Sequence, residues 1–171
     1  ALYQAIDIEA IKKKVMRGLS EPAGIITFPG VNGYTKELDA RLPYDVDAAK
    51  KLLADAGYPN GFDVELRCPN DRYVNDEAIC TAVVGMLGKI GVNVSLFAQT
   101  KSKHFKELKD NQGDFYMLGW GVPTLDSHYV FHYLYESGAS WNKVNFSNSE
   151  VDAAIRAVSY THLRAHETLP Y

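Results

Sequence analysis

The chain has little of what usually announces a nucleic-acid binder, a membrane protein or an enzyme. Its charge is nearly balanced, 18 Lys and Arg against 21 Asp and Glu for a net charge of -3, whereas phosphate binding needs clustered cations. The one basic run, Lys12-Lys13-Lys14, falls in the last turn of an expected helix, where it complements the helix dipole. Nucleic acid is therefore not an expected partner. No apolar stretch approaches the roughly 20 residues that a membrane-spanning helix needs. There is no Gly-x-Ser-x-Gly elbow and no phosphate loop. Ser127 and His128 are adjacent, so on a helix their side chains diverge and make no nucleophile–base pair. The two cysteines, Cys68 and Cys80, lack the further Cys or His partners of a zinc ligand set. Internal repeats and low-complexity segments are absent, and so are an initiator Met and a signal peptide. The chain opens on Ala1 inside an expected helix and reads as an internal piece of a longer protein, so the missing signal says nothing about location.

What is present is globular. Hydrophobic residues make up 46% and charged residues 23% of 171 residues, close to the average of folded domains and enough for a real core. Asp7 reads as an N-cap, with Ile8, Ile11 and Val15 at helical spacing and Gly18 as terminator; Leu2, Ala5 and Ile6 suggest a helix before it. Leu19 to Pro43 is rich in Gly and Pro and reads as a long ordered loop. "DVDAAKKLLADAG" is amphipathic, with Ala49, Leu52, Leu53 and Ala56 on one face and Gly57 at its end.

The centre alternates strand and helix. "FDVELRC" has the two-residue period of a half-buried strand. A helix from about Asp76 to Ile90 follows, with Asn75 as its cap and a stripe of Ile79, Val83, Leu87 and Ile90. "VNVSLFAQ" is a second strand, 102–110 a short helix and "DFYMLGW" a third strand. These lengths predict an α/β fold with a largely parallel sheet and flanking helices. In such sheets ligands collect outside the carboxyl ends of the strands. Trp120 and the loop to Asp126 lie at such an end, and so does Cys68.

Four stretches carry a family resemblance. "ALYQAIDIEAIKKKVMRGLSEPA", "YDVDAAKKLLADAGYPNGFDVEL", "LGKIGVNVSL" and "GDFYMLGW", the last followed by Asp126 and "NFSNSEVDAAI", resemble the extracytoplasmic solute-binding proteins of ABC importers, in the branch that takes up dipeptides, oligopeptides and nickel. The likeness covers nearly all of residues 1–158. It implies that residues 1–159 are a fragment of the second, C-terminal lobe of a two-lobed periplasmic-binding-protein (type II) fold. It further implies a bacterial, periplasmic or extracytoplasmic protein, free or lipid-anchored, that captures a peptide or other small solute and delivers it to ABC permease subunits, with a non-transport sensory receptor on the same fold as an alternative. Such a protein has no catalytic residues, needs no cofactor and acts as a monomer.

The resemblance also nominates residues. In peptide-binding members the Trp of the Gly-Trp motif lines a side-chain pocket, which places Trp120 first among ligand contacts; a core aromatic covering the sheet end is the alternative. Gly119 and Gly121 would let backbone approach the solute, and Tyr116 adds to an aromatic-rich region with Tyr129, Tyr133 and Trp141. Peptide-binding members commonly carry an Asp three residues after that Trp to hold the ligand ammonium, and here that position is Pro123. Asp126 is the nearby acid; it could reach an amine, but its spacing also suits an N-cap. His128 and His132 at i, i+4 could present two imidazoles to one metal, the metal-chelate alternative, although solvated or packed histidines are commoner. The oxidising compartment that the family implies favours a Cys68–Cys80 disulfide, with two buried thiols as the alternative.

The end of the chain is different. From about Tyr160 the wording "YTHLRAHETLPY" resembles translated sequencing-adapter read-through, so residues 160–171 are set aside as a non-native tail, the His162 and His166 pair with them. A genuine C-terminal helix is the competing reading.

Overall fold

A three-stranded parallel sheet with β1 (Asp63–Pro69) at its centre forms the frame of the computed structural model, which describes residues 1–167. β2 (Asn93–Gln99) lies on one side of β1, with Leu66 opposite Leu96 and Cys68 opposite Ala98. β3 (Phe115–Tyr116) lies on the other, with Arg67 opposite Tyr116. The α/β class and the parallel sheet are as the alternation of segments predicts. The described chain groups into two units, one of Ala1–Gly24 with Ala40–Gly119, the other of Ile25–Asp39 with the chain from Trp120 onward.

In the first unit α1 (Leu2–Ala5) precedes α2 (Ile8–Ala10), which the Asp7 carboxylate caps through the Ala10 N–H at 2.9 Å. The chain then widens into a π-helical turn, Ile11–Val15, instead of continuing as a regular helix. α3 (Val46–Asp55) starts on the Asp45 carboxylate, which accepts from Ala48 N, and ends before Gly57 at φ +90°. Its inward residues are Ala49 and Leu53; Leu52, assigned to the same face from sequence, is largely exposed.

α4 (Asp76–Gly88) crosses from β1 to β2 and packs on both strands, with Leu87 fully buried. Its start differs from the expected one. Asn75 takes a left-handed conformation, φ +56°, and gives its amide to Val15 O at 3.0 Å. The capping carboxylate is the next residue, Asp76, which accepts from Tyr73 N at 2.9 Å, Arg72 N at 3.0 Å and Glu77 N at 2.9 Å. Burial pushes the Asp76 carboxyl up, and these backbone donors outweigh it, leaving its pKa below the ordinary value. Beyond α4, Gly91 and Gly61 lie so close that a Cβ on Gly61 would fall 1.8 Å from Gly91 O, and only glycine fits there.

Cys68 in β1 and Cys80 in α4 form a disulfide, with Cα atoms 6.6 Å apart. α5 (Lys101–Lys109) then leads from β2 to β3. β3 is far shorter than the seven residues suggested by "DFYMLGW". Pairing stops where β1 reaches Pro69, which has no N–H for the ladder.

The second unit has no strand among its described residues. Val31, Val122 and Val130 form a buried apolar cluster in it, packed by Ile26, Trp120 and Leu134. The Gly- and Pro-rich segment around Val31 is joined to the chain before α6 (Ser127–Leu134) by a short parallel bridge, Asn32 N to Leu125 O at 2.8 Å and Ser127 N to Asn32 O at 3.0 Å. Asn142 holds the following turn, giving its amide to Glu136 O and Phe146 O and accepting Phe146 N. The Asn148 side chain receives Glu150 N and Val151 N at the start of α7 (Ser149–Glu167). The α7 backbone runs helically through the stretch from Tyr160, which the sequence sets aside; the side chains of His162 and His166 lie outside the described residues. No helix among the described residues is long and apolar enough to cross a membrane.

Candidate functional site

The residues nominated from sequence divide between the two units. Tyr116 and Gly119 stand in the first, at the end of β3 and in the chain that leaves it; Trp120, Gly121 and Asp126 stand in the second.

In the first unit Tyr116 is half-buried on the edge of the sheet. Gly119 has a steric reason to be glycine, because a Cβ there would lie 2.7 Å from the Tyr73 ring. Its carbonyl accepts the Tyr73 hydroxyl at 3.4 Å. The chain before it is anchored on both backbone groups of Met117, whose N–H goes to Arg67 O and whose carbonyl faces His104 Nε2, each at 2.9 Å. Neither Tyr73 nor His104 was singled out from sequence, where nothing local links them to the loop.

In the second unit Trp120 is half-buried and surrounded by rings: Trp141 at 5.9 Å between centroids, Tyr129 at 6.0 Å and Tyr133 at 6.2 Å. Its flank packs on the Val31, Val122 and Val130 cluster. Its indole Nε1 is buried and has no acceptor among the described residues. A donor left so costs about 1–3 kcal/mol. Gly121 is exposed, and a Cβ there would meet nothing within 4 Å, so packing does not require glycine at that position.

Asp126 makes internal hydrogen bonds through both carboxylate oxygens. One carboxylate oxygen receives His128 N at 2.8 Å, which caps α6, and the other receives Asn32 Nδ2 at 2.9 Å. Of its two possible roles, cap and amine anchor, the geometry builds the first. Asn32 was missed in the sequence because it lies 94 positions away in a loop.

His128 and His132 stack with rings 5.8 Å apart and nearly parallel. His132 Nδ1 meets Glu136 Oε2 at 2.6 Å, and Glu136 Oε1 receives Arg156 Nε at 3.0 Å. Burial raises the Glu136 carboxyl, and the bonds from Arg156 and His132 outweigh it, so its pKa is lowered. No group of three His, Cys, Asp or Glu able to hold a metal ion occurs among the described residues.

Residues 1–142 match the model of the bacterial extracellular solute-binding proteins, family 5, middle region. Heme-binding protein A of Haemophilus influenzae is 29% identical over 163 residues, spanning 91% of this chain and 29% of that protein. The dipeptide-binding protein of Escherichia coli is 29% identical over 150 residues, 86% of this chain and 28% of its own length. Among solved structures, AgaA in complex with agropinic acid, from A. tumefaciens R10, superposes with a TM-score of 0.80 at 26% identity, covering 91% of this chain and 32% of that one. The chain thus spans less than a third of the length of these relatives. It belongs to the bacterial extracellular solute-binding proteins, family 5.

Proposed function

We propose that the full-length protein is the solute-capturing receptor of an ABC importer and that Trp120 and Gly121 of the second unit touch its solute, with Tyr116 and Gly119 as candidate contacts in the first. The observation that supports this reading is the ring cluster around Trp120, half-buried with Trp141, Tyr129 and Tyr133 about it at the start of the loop that leaves the sheet. An indole offers large contact area at small cost in rotamer entropy, which suits a capture site. The family is named extracellular, and the importer role, the permease partner, the extracytoplasmic location and any lipid anchor follow from it as parts of the proposal. Residues 1–159 are then part of one lobe of a receptor that closes around its solute, and residues 160–171 are a non-native tail.

The solute class is narrower than the family. Pro123 stands where peptide-binding members carry an ammonium-holding Asp, and the Asp126 carboxylate already caps α6 and accepts Asn32 Nδ2. A small solute with an apolar or planar part fits better than an ordinary free-amine peptide. The test is to purify the full-length receptor, identify co-purifying small molecules by mass spectrometry and titrate the best of them against Trp120→Ala. A loss of at least about 1 kcal/mol, roughly five-fold in affinity, is expected for a buried aromatic anchor. Unchanged affinity in a folded variant removes Trp120 from the site.

A further inference from the structure

In a parallel ladder, alternate residues of one strand give an N–H to one residue of the neighbour and receive an N–H two residues further on. Arg67 sits opposite Tyr116 in this pattern, and its carbonyl takes the Met117 N–H at 2.9 Å. The next bond of the same edge would run from the N–H of residue 69 to Met117 O. Residue 69 is Pro69, fully buried and without an N–H. A side chain from another element stands in its place: His104 of α5, 0% exposed, brings Nε2 to 2.9 Å from Met117 O. Because a carbonyl only accepts, the imidazole carries its proton on Nε2, and its buried Nδ1 has no partner among the described residues. The opposite end of the same short pairing is also closed by a side chain, Asp114 Oδ2 receiving Glu65 N at 2.7 Å.

We propose that His104 is a positioning residue that takes the place of the missing Pro69 N–H, fixing where β3 ends and where the chain toward Gly119 departs. The role bears on solute capture through the reading of the Gly119–Asp126 loop as a ligand wall, and rests on that reading only to this extent. A backbone N–H cannot change its protonation, whereas an imidazole can. The carboxylates acting on the ring are Glu107 on α5 itself and Asp76 at the start of α4. Glu107 is already shared by Arg67, Lys103 and Gln99, and Asp76 by three backbone amides. Neither makes a hydrogen bond to Nδ1. Burial lowers the His104 pKa, the bond to Met117 and the two carboxylates countering it in part. Protonation at Nδ1 therefore adds a buried donor without an acceptor, and the strand exit loosens in acid.

The experiment is amide hydrogen exchange at Met117, followed by NMR in the full-length protein without solute, so its result is independent of whether the loop binds anything. His104→Leu should speed exchange roughly ten-fold, the scale of one lost buried hydrogen bond. His104→Gln, whose amide can donate but not titrate, should stay within about three-fold of wild type and follow only the intrinsic pH dependence of exchange, while wild type accelerates further below about pH 6. Pro69→Ala, which restores the N–H, should rescue the His104→Leu variant. A leucine variant that exchanges like wild type would overturn the assignment, and so would failure of Pro69→Ala to rescue it. If the leucine variant does not fold, identical pH profiles for wild type and His104→Gln overturn it instead.

Discussion

Asn32 Nδ2 donates to Asp126 Oδ2 at 2.9 Å, adding a side-chain bond between the Val31 loop and the cap of α6 to the backbone bridge already there. The carboxylate thereby satisfies an orphan amide of α6 and helps to hold the Val31 loop beside it. Asp126→Ala should destabilise the second unit by about 1–2 kcal/mol, the usual range for an N-cap with a second hydrogen bond. Denaturant unfolding of the full-length protein measures it. The cycle with Asn32→Ala should show a coupling of roughly 0.5–1 kcal/mol, and strict additivity would mean that the bond contributes nothing.

The disulfide is a separate source of stability. Cys68 and Cys80 are 12 positions apart and both buried, so the cross-link limits a short loop of the unfolded chain. Loop-closure entropy at this length amounts to about 3 kcal/mol. The double change Cys68→Ala, Cys80→Ala should lower stability by that order, read as a shift in denaturant midpoint under identical buffer. A protein equally stable under reducing and oxidising conditions would show that the bridge adds nothing in solution.

Acid sensitivity follows from two carboxylates. The Asp76 carboxyl is held below its ordinary 3.8, backbone donors outweighing its burial. That of Glu107 is held below its ordinary 4.5, by the bond from Gln99 first, with Arg67 and Lys103 adding to it against burial. A carboxylate with a depressed folded pKa contributes stability above its unfolded pKa and loses it as pH falls through the folded value. The first unit should therefore be most resistant to urea above about pH 5 and weaken progressively below about pH 4.5. Asp76→Asn and Glu107→Gln should each flatten that decline; slopes equal to wild type would show that other groups govern it.

Much of the first unit was legible in the sequence because its signals are local. The Asp7 cap lies beside the turn it starts, the Ala49 and Leu53 face and Gly57 within or just after one helix, and the Leu66 alternation within one strand. β3 was overestimated because its length depends on Pro69, 46 positions earlier in a different strand, and no pattern inside "DFYMLGW" reports that. Asn75 looks like a cap by residue type, yet its left-handed backbone passes the role to Asp76. The aromatic identity of the candidate wall was readable, but the engagement of Asp126 depends on Asn32, and the fixing of the strand exit on His104 and Tyr73, so neither could be read from spacing.

The contact of Gly119 with Tyr73 gives a last prediction. A methyl group at residue 119 would lie 2.7 Å from Tyr73 Cε1 and 3.0 Å from Cζ, so the ring must swing away and its hydroxyl must leave Gly119 O. Tyr73 is only half-buried and can move, which keeps the cost near 1 kcal/mol, at the low end for an overpacked contact. Gly119→Ala should lower the denaturant midpoint accordingly. In a Tyr73→Ala background the same substitution should cost less than about 0.3 kcal/mol, because nothing is left to displace. If Gly119→Ala is equally costly in both backgrounds, the glycine is needed for the path of its own backbone and not for the ring beside it.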